Sequence, residues 1–143
     1  MIKIVIPGDP ISKKRPKFFR RGSHVGAYSE QTTEEGRFLT LAIAQIGSRP
    51  SALFPPDVPV RLEANFYFRF PLSWSKKKVA SNPPHISKPD VDNLLKFVKD
   101  ALNGFVWSDD RQIVRVYGAK AYSEDPRTEI FISYPTAASP FNK

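Results

Sequence analysis

The sequence predicts an α+β fold: one domain with a mixed β-sheet of about four strands and two main helices packed on it. Three observations carry this. Val60, Leu62, Ala64, Phe66, Phe68 and Phe70 alternate with Arg61, Glu63, Asn65, Tyr67 and Arg69, the period of a strand with one buried face. Val91, Leu94, Leu95, Val98, Ala101, Leu102 and Phe105 recur at i, i+3, i+4, i+7, i+10, i+11 and i+14, the period of an amphipathic helix. The full order of patterns is strand, helix, strand, helix, strand, strand, without repeats, in a chain of 143 residues that is 41% apolar, enough for one core.

Ile2-Lys3-Ile4-Val5-Ile6 opens the chain as a short strand, and Pro7-Gly8-Asp9-Pro10 ends it in a turn. From Ser29 to Gly47, Phe38, Leu41, Ala42 and Ile46 fall at helical spacing, with Ser29 or Thr32 as the expected cap and Gly47 as the stop. Residues 48–59 hold four prolines and form a loop ahead of the 60–70 strand. The stretch 71–89 reads as a basic loop with room for one helical turn. The helix over 91–105 has Asn103-Gly104 as its stop. Residues 113–117 and 129–134 read as two strands paired with each other, and 135–143 as a frayed tail.

Charge narrows the function. Lys and Arg total 22 against 14 acids, a formal +8, which favours a polyanionic partner. Residues 1–28 hold seven basic residues against Asp9 alone, concentrated in the basic segment 11–28. The loop 71–89 adds Lys76, Lys77, Lys78 and Lys88 and no acid. The absence of Cys excludes a disulfide scaffold, a thiolate nucleophile and a Cys-ligated metal, and only His24 and His85 supply imidazoles. A metal here would be held by carboxylates. No run approaches the roughly 20 apolar residues of a spanning helix, so a soluble, cytoplasmic protein with no membrane partner is expected.

Within this basic chain, Asp90, Asp92, Asp109 and Asp110 flank one helix, two at its start and two just beyond its end. Pro89 biases the preceding residue toward extended backbone, and an extended Asp90 faces the same side as Asp92. Asp92, Lys96 and Asp100 lie at i, i+4 and i+8, one polar stripe. Taken singly, each Asp is explained by helix capping or turn chemistry. Taken together, hard oxygen ligands held close in a basic surface favour Mg²⁺ or Mn²⁺ and suggest phosphodiester chemistry. An EF-hand beginning at Asp90 is excluded by Leu94 and Leu95 at its fifth and sixth positions.

The run Lys88-Pro89-Asp90-Val91-Asp92-Asn93-Leu94, Lys96, Asp100-Ala101-Leu102, and Asp109-Asp110-Arg111-Gln112-Ile113 resembles the RusA-like Holliday junction resolvases over residues 88–113. Lys120 falls where such proteins carry a lysine in the following strand. The resemblance implies that Asp90, Asp92 and Asp110 are essential metal-binding acids, that Lys96 is the essential lysine, and that Asp109 is a further candidate ligand. It implies a homodimer acting on branched DNA, four-way junctions above all, in a bacterial cell or a phage host. The cofactor implied is Mg²⁺, with Mn²⁺ as a substitute, and the products are paired symmetric nicks with 5′-phosphates.

The expected DNA-binding surface comprises Lys13, Lys14, Arg15, Lys17, Arg20, Arg21, Lys76, Lys77, Lys78, Lys88 and Lys120. Phe18, Phe19 and Trp74 are candidate base-stacking groups, for which packing is the plainer role. Alternatives are a fork or flap nuclease in phage DNA processing and an inert junction-binding module. The first would share the acids, and the second would not need them.

Overall fold

The computed structural model describes residues 1–14, 17–28 and 31–135. Strand β1 (Ile2–Pro7) is followed by a hairpin of β2 (Lys17–Arg21) and β3 (His24–Tyr28), then helix α1 (Thr32–Ile46) and strand β4 (Val60–Phe68). A short helix α2 (Lys76–Ser81) and helix α3 (Val91–Leu102) lead to a 3-10 turn (Asp110–Gln112), β5 (Ile113–Tyr122) and β6 (Arg127–Ser133). The main sheet runs β1-β6-β4-β5. Strand β6 is antiparallel to β1 and β4, whereas β4 and β5 are parallel. The parallel pair follows from the connection: α2 and α3 intervene and return the chain to start β5 in the direction of β4.

Alternation sets the core. Ile4, Ile130 and Ala64 stand in register across three strands, as do Ile2, Ile132 and Leu62, so one face of the sheet is continuously apolar. Phe38 and Ala42 of α1 and Leu94, Phe97, Val98, Ala101 and Leu102 of α3 cover it. Phe97 meets Phe38 edge-on at 5.4 Å, which makes it packing. Each large side chain buried here is worth about 1.5–3 kcal/mol. The opposite face carries ion pairs and cation–π contacts instead: Arg61 with Glu63 and over Tyr117, Arg127 with Glu129 and over Tyr67.

Two details fix where α3 begins. A Cβ on Gly118 of β5 would come within 2.8 Å of Val91 and 2.9 Å of Leu95, so glycine lets the first turns of α3 lie directly on the strand. Beyond the end of β4, Phe70, Trp74 and His85 gather around Tyr122, with Phe68 against His85. This aromatic cluster docks the 71–89 loop, and Ser75 caps α2 by accepting from the Lys78 amide.

Several expectations are corrected. The strands at 113 and 127 are not paired with each other. Strand β4 lies between them, and the chain crosses its end at Ser123, whose amide donates to Phe68 O. The segment 17–28 is a hairpin turning at Gly22, whose φ of +60 suits glycine. Strand β5 continues to Tyr122, and α3 stops at Leu102, leaving Phe105 outside the helix. The α1 cap is Gln31, and its side chain does not cap. It accepts from the Lys14 amide and donates to Ser12 O, binding the 12–14 segment to the helix start. Ser29 lies outside the described residues, as does the expected tail beyond 135. The stop at Gly47 is as expected, with φ +86.

Candidate functional site

Asp90 is the N-cap of α3, with extended φ −68 and ψ 148, and its carboxylate makes no capping hydrogen bond. The helix is entered instead through its backbone, Leu94 N donating to Asp90 O at 3.2 Å. The side chain is therefore not spent on folding. It lines an open cleft of about 530 Å³ with Pro10, Ser12, Lys88, Pro89 and Asn93. The far wall is tied to α3 by the Lys13 amide, which donates to Asn93 O at 3.0 Å. Two residues on, the exposed Asp92 carboxylate stands 3.2 Å from the Lys96 ammonium, the i, i+4 pair expected from spacing. The positive end of the α3 dipole favours anions here, whether carboxylate or phosphate.

The second acidic segment is built differently. The Asp109 carboxylate accepts from the Arg111 amide at 2.9 Å, and the Asp109 amide donates to Gln112 Oε1 at 2.8 Å, a reciprocal capping box. Buried Gln112 also donates to Pro55 O at 2.6 Å and Val58 O at 2.9 Å, pinning the proline-rich loop. Half-buried Asp110 accepts from the indole of fully buried Trp107 at 2.8 Å through Oδ1. Among the described residues no three His, Asp or Glu side chains form a cluster able to hold a metal ion. The structure thus brings Asp92 and Lys96 together beside Asp90, and does not gather Asp110 with them into a ready-made cage.

The predicted basic residues divide. Lys13 bridges Glu35 of α1 at 2.8 Å and Asp100 of α3 at 3.0 Å. The hydrogen bond that Lys13 donates to Glu35, opposed by burial and aided by Asp100, raises the Lys13 pKa above its ordinary value. Asp100 therefore serves Lys13 and not Lys96. Lys14 lies 3.8 Å from Glu34. Arg20 and Arg21 are exposed on the hairpin, and Lys17 lies on β2. Lys76, Lys77 and Lys78 are exposed on α2, with Lys78 over the Trp74 ring at 4.3 Å, and Lys88 borders the cleft. Arg15 lies outside the described residues. Phe18 is 76% exposed, whereas Trp74 packs against Tyr122. Lys120 donates to Ser87 O and Pro89 O, at the bend that leads into Asp90. The cleft walls Pro10 and Ser12 carried no signal in the sequence, because the fold brings them to Asp90 from 80 residues away.

The structure thus joins a mixed sheet with one helical layer, an uncapped carboxylate at a helix start and a basic surround. Residues 7–133 match the family described as Endodeoxyribonuclease RusA, and the chain belongs to that family. It is 33% identical over 139 residues to an uncharacterized protein, YqaN, of Bacillus subtilis (strain 168), across 92% of this chain and 94% of the relative. It is 32% identical over 87 residues to a protein named crossover junction endodeoxyribonuclease rusA from Lactococcus phage r1t, across 60% of this chain and 63% of the phage protein. The resemblance seen at residues 88–113 thus extends over most of the chain. Among the described residues no helix is long and apolar enough to cross a membrane.

Proposed function

We propose that this chain is a metal-dependent, structure-specific endodeoxyribonuclease that resolves four-way DNA junctions by paired symmetric nicks leaving 5′-phosphates, acting as a homodimer in the cytoplasm of a bacterial cell or phage host. The observation that carries the reading is the uncapped Asp90 carboxylate on an open cleft, two residues before the Asp92–Lys96 pair, in a chain of the RusA family.

The donor set is all carboxylate oxygen, which suits Mg²⁺ or Mn²⁺ in kind. Asp90, Asp92 and Asp110 would hold the ion, with Asp109 engaged in its capping box. Bound there, it would supply Lewis-acid polarisation of the scissile phosphate and of the attacking water. Because the three carboxylates are not preassembled, its affinity depends on how firmly each is placed. Lys96, released from Asp92, offers an ammonium to the charge that develops on the phosphate. The α3 N-terminus orients the same phosphate. Exposed Lys76, Lys77, Lys78 and Lys88, with the hairpin arginines, supply sequence-independent backbone affinity. A junction has two equivalent strands, which a twofold dimer matches.

The test incubates the protein with a labelled four-way junction, fork, duplex and single strand, each with EDTA, Mg²⁺ or Mn²⁺, beside Asp92→Asn. The expected result is symmetric nicking of the junction only with metal, lost in Asp92→Asn while junction binding persists. Cutting mainly at forks would reassign the substrate, and binding without cleavage under either metal would overturn the enzyme reading.

A further inference from the structure

Lys120 sits on β5 opposite Phe66, on a strand whose neighbouring residues Gly118 and Tyr122 face α3 and the aromatic cluster. Its half-buried ammonium donates at 2.5 Å to Ser87 O and at 3.0 Å to Pro89 O. No carboxylate among the described residues lies within ion-pair distance of it. A cation satisfied by two backbone carbonyls, and by no acid, fixes the path of the chain that carries them.

That path leads directly into Asp90. Ser87 and Pro89 flank Lys88, and both Lys88 and Pro89 line the cleft. Asp90 follows directly, and without a capping bond its carboxylate direction is set by the backbone before it. From the other side, the Lys13 amide on Asn93 O and the packing of Val91 and Leu95 on Gly118 hold the first turn. The ammonium is also felt beneath the bend: burial first, and then the charge of Lys120, hold the His85 pKa below its ordinary value.

We infer that Lys120 is a positioning residue: by holding the Ser87 and Pro89 carbonyls it fixes the bend that presents Asp90 to the cleft, and its charge is directed at the protein backbone and not at DNA. The inference rests on the reading of the cleft as a metal-dependent nuclease site. It departs from the expectation that Lys120 contacts DNA. Groups that orient metal ligands from outside commonly change metal affinity 10–100-fold when removed.

The full chain is compared with Lys120→Met, which keeps the aliphatic stem, Lys120→Gln, which keeps neutral N–H donors on a shorter stem, and Lys120→Arg, which keeps charge and donors. Mn²⁺ binding is titrated without DNA by the loss of the free-ion magnetic resonance signal. Junction affinity is measured in EDTA across salt, and amide exchange is followed over residues 86–94. The expected result for Lys120→Met is about tenfold weaker Mn²⁺ binding and faster exchange confined to 86–94. Junction Kd and its salt slope stay at wild-type values, kcat falls at fixed Mn²⁺ with KM unchanged, and Lys120→Arg recovers most of the loss. Unchanged Mn²⁺ affinity and exchange in a folded Lys120→Met would overturn the inference. So would a weaker junction Kd with a salt slope lower by about one, the mark of a lost phosphate contact. Should Lys120→Met fail to fold, Lys120→Gln is read by the same measures, and failure of both assigns Lys120 to the fold and overturns the inference. If the wild type takes up Mn²⁺ and cuts no junction, the substrate reading fails and the titration still decides the role of Lys120. If it takes up none, the metal reading fails, and the exchange over 86–94 decides.

Discussion

The two acidic segments at either end of α3 contain the same residue type and are used in opposite ways. At 109–112 nearly every polar group is consumed locally: Asp109 and Gln112 cap each other, and Gln112 holds two loop carbonyls. At 90–92 the helix starts without help from a side chain, and Asp90 is left facing a cleft. A carboxylate that its own backbone has not used is available to a ligand, and spacing in the sequence does not reveal which carboxylates those are. Asp110 stands between the two cases, with one oxygen accepting from Trp107.

The largest effect that would break this contrast comes from a matched pair of substitutions. Asp110→Asn keeps an oxygen for the Trp107 indole and removes the charge, so folding should persist while junction cleavage falls by about 10²-fold or more. Asp109→Asn likewise keeps an oxygen for the Arg111 amide, and cleavage should stay near wild type. Equal loss in both, in single-turnover assays on folded protein, would erase the distinction between the spent and unspent acids.

A middle-sized effect tests the structural side alone. Gln112→Ala strips the cap of its partner and leaves Val58 O without its donor, while Pro55 O keeps the Val58 amide, which should lower stability by about 1–3 kcal/mol in urea unfolding. Metal and junction binding by the protein that remains folded should be unaltered. A loss below about 0.5 kcal/mol would show that water replaces the amide freely.

The smallest effect sharpens the α3 side. His85 is buried beneath the bend, its Nδ1 has no hydrogen-bond partner among the described residues, and burial followed by the charge of Lys120 holds its pKa below the ordinary 6.5. The unfolded chain therefore takes up a proton on His85 before the folded one does. Its contribution to stability is complete above pH 6.5 and is lost as pH falls from there toward the folded pKa. His85→Phe keeps ring contact with Phe68 and Tyr122 and should flatten stability against pH in that window. A slope equal to that of wild type would move the titration elsewhere.

Much of the fold was legible because burial imposes a period. The even residues of β4 and the apolar stripe of α3 announce themselves in this way, and both pack on the core except at the end of the stripe, where Phe105 lies beyond the helix and is exposed. The hairpin was not legible, since KFFRR and HVGAY do not alternate and their pairing rests on each other's backbone. Nor was the second half of β5, where Gly-Ala-Lys-Ala has little strand preference and is held by register against β4. Strand order escaped for a related reason: β5 and β6 are neighbours in sequence, while β4 wins the place between them by pairing with both. At the site, Asp90, Asp92 and Lys96 follow from local spacing. The partners of Lys13 and Lys120 lie up to 87 residues away and belong to tertiary structure.

One side chain decides how this sheet can grow. Gln45 of α1 meets the outer edge of β1 as a neighbouring strand would, accepting from the Val5 amide at 2.8 Å and donating to Val5 O at 2.7 Å. That rim is finished from within the molecule. At the other rim, β5 runs for ten residues with β4 as its one strand neighbour among the described residues. The Val5 amide should consequently exchange with deuterium as slowly as one inside the sheet, while the outward amides of β5 exchange quickly, so any further strand joining this sheet joins it along β5.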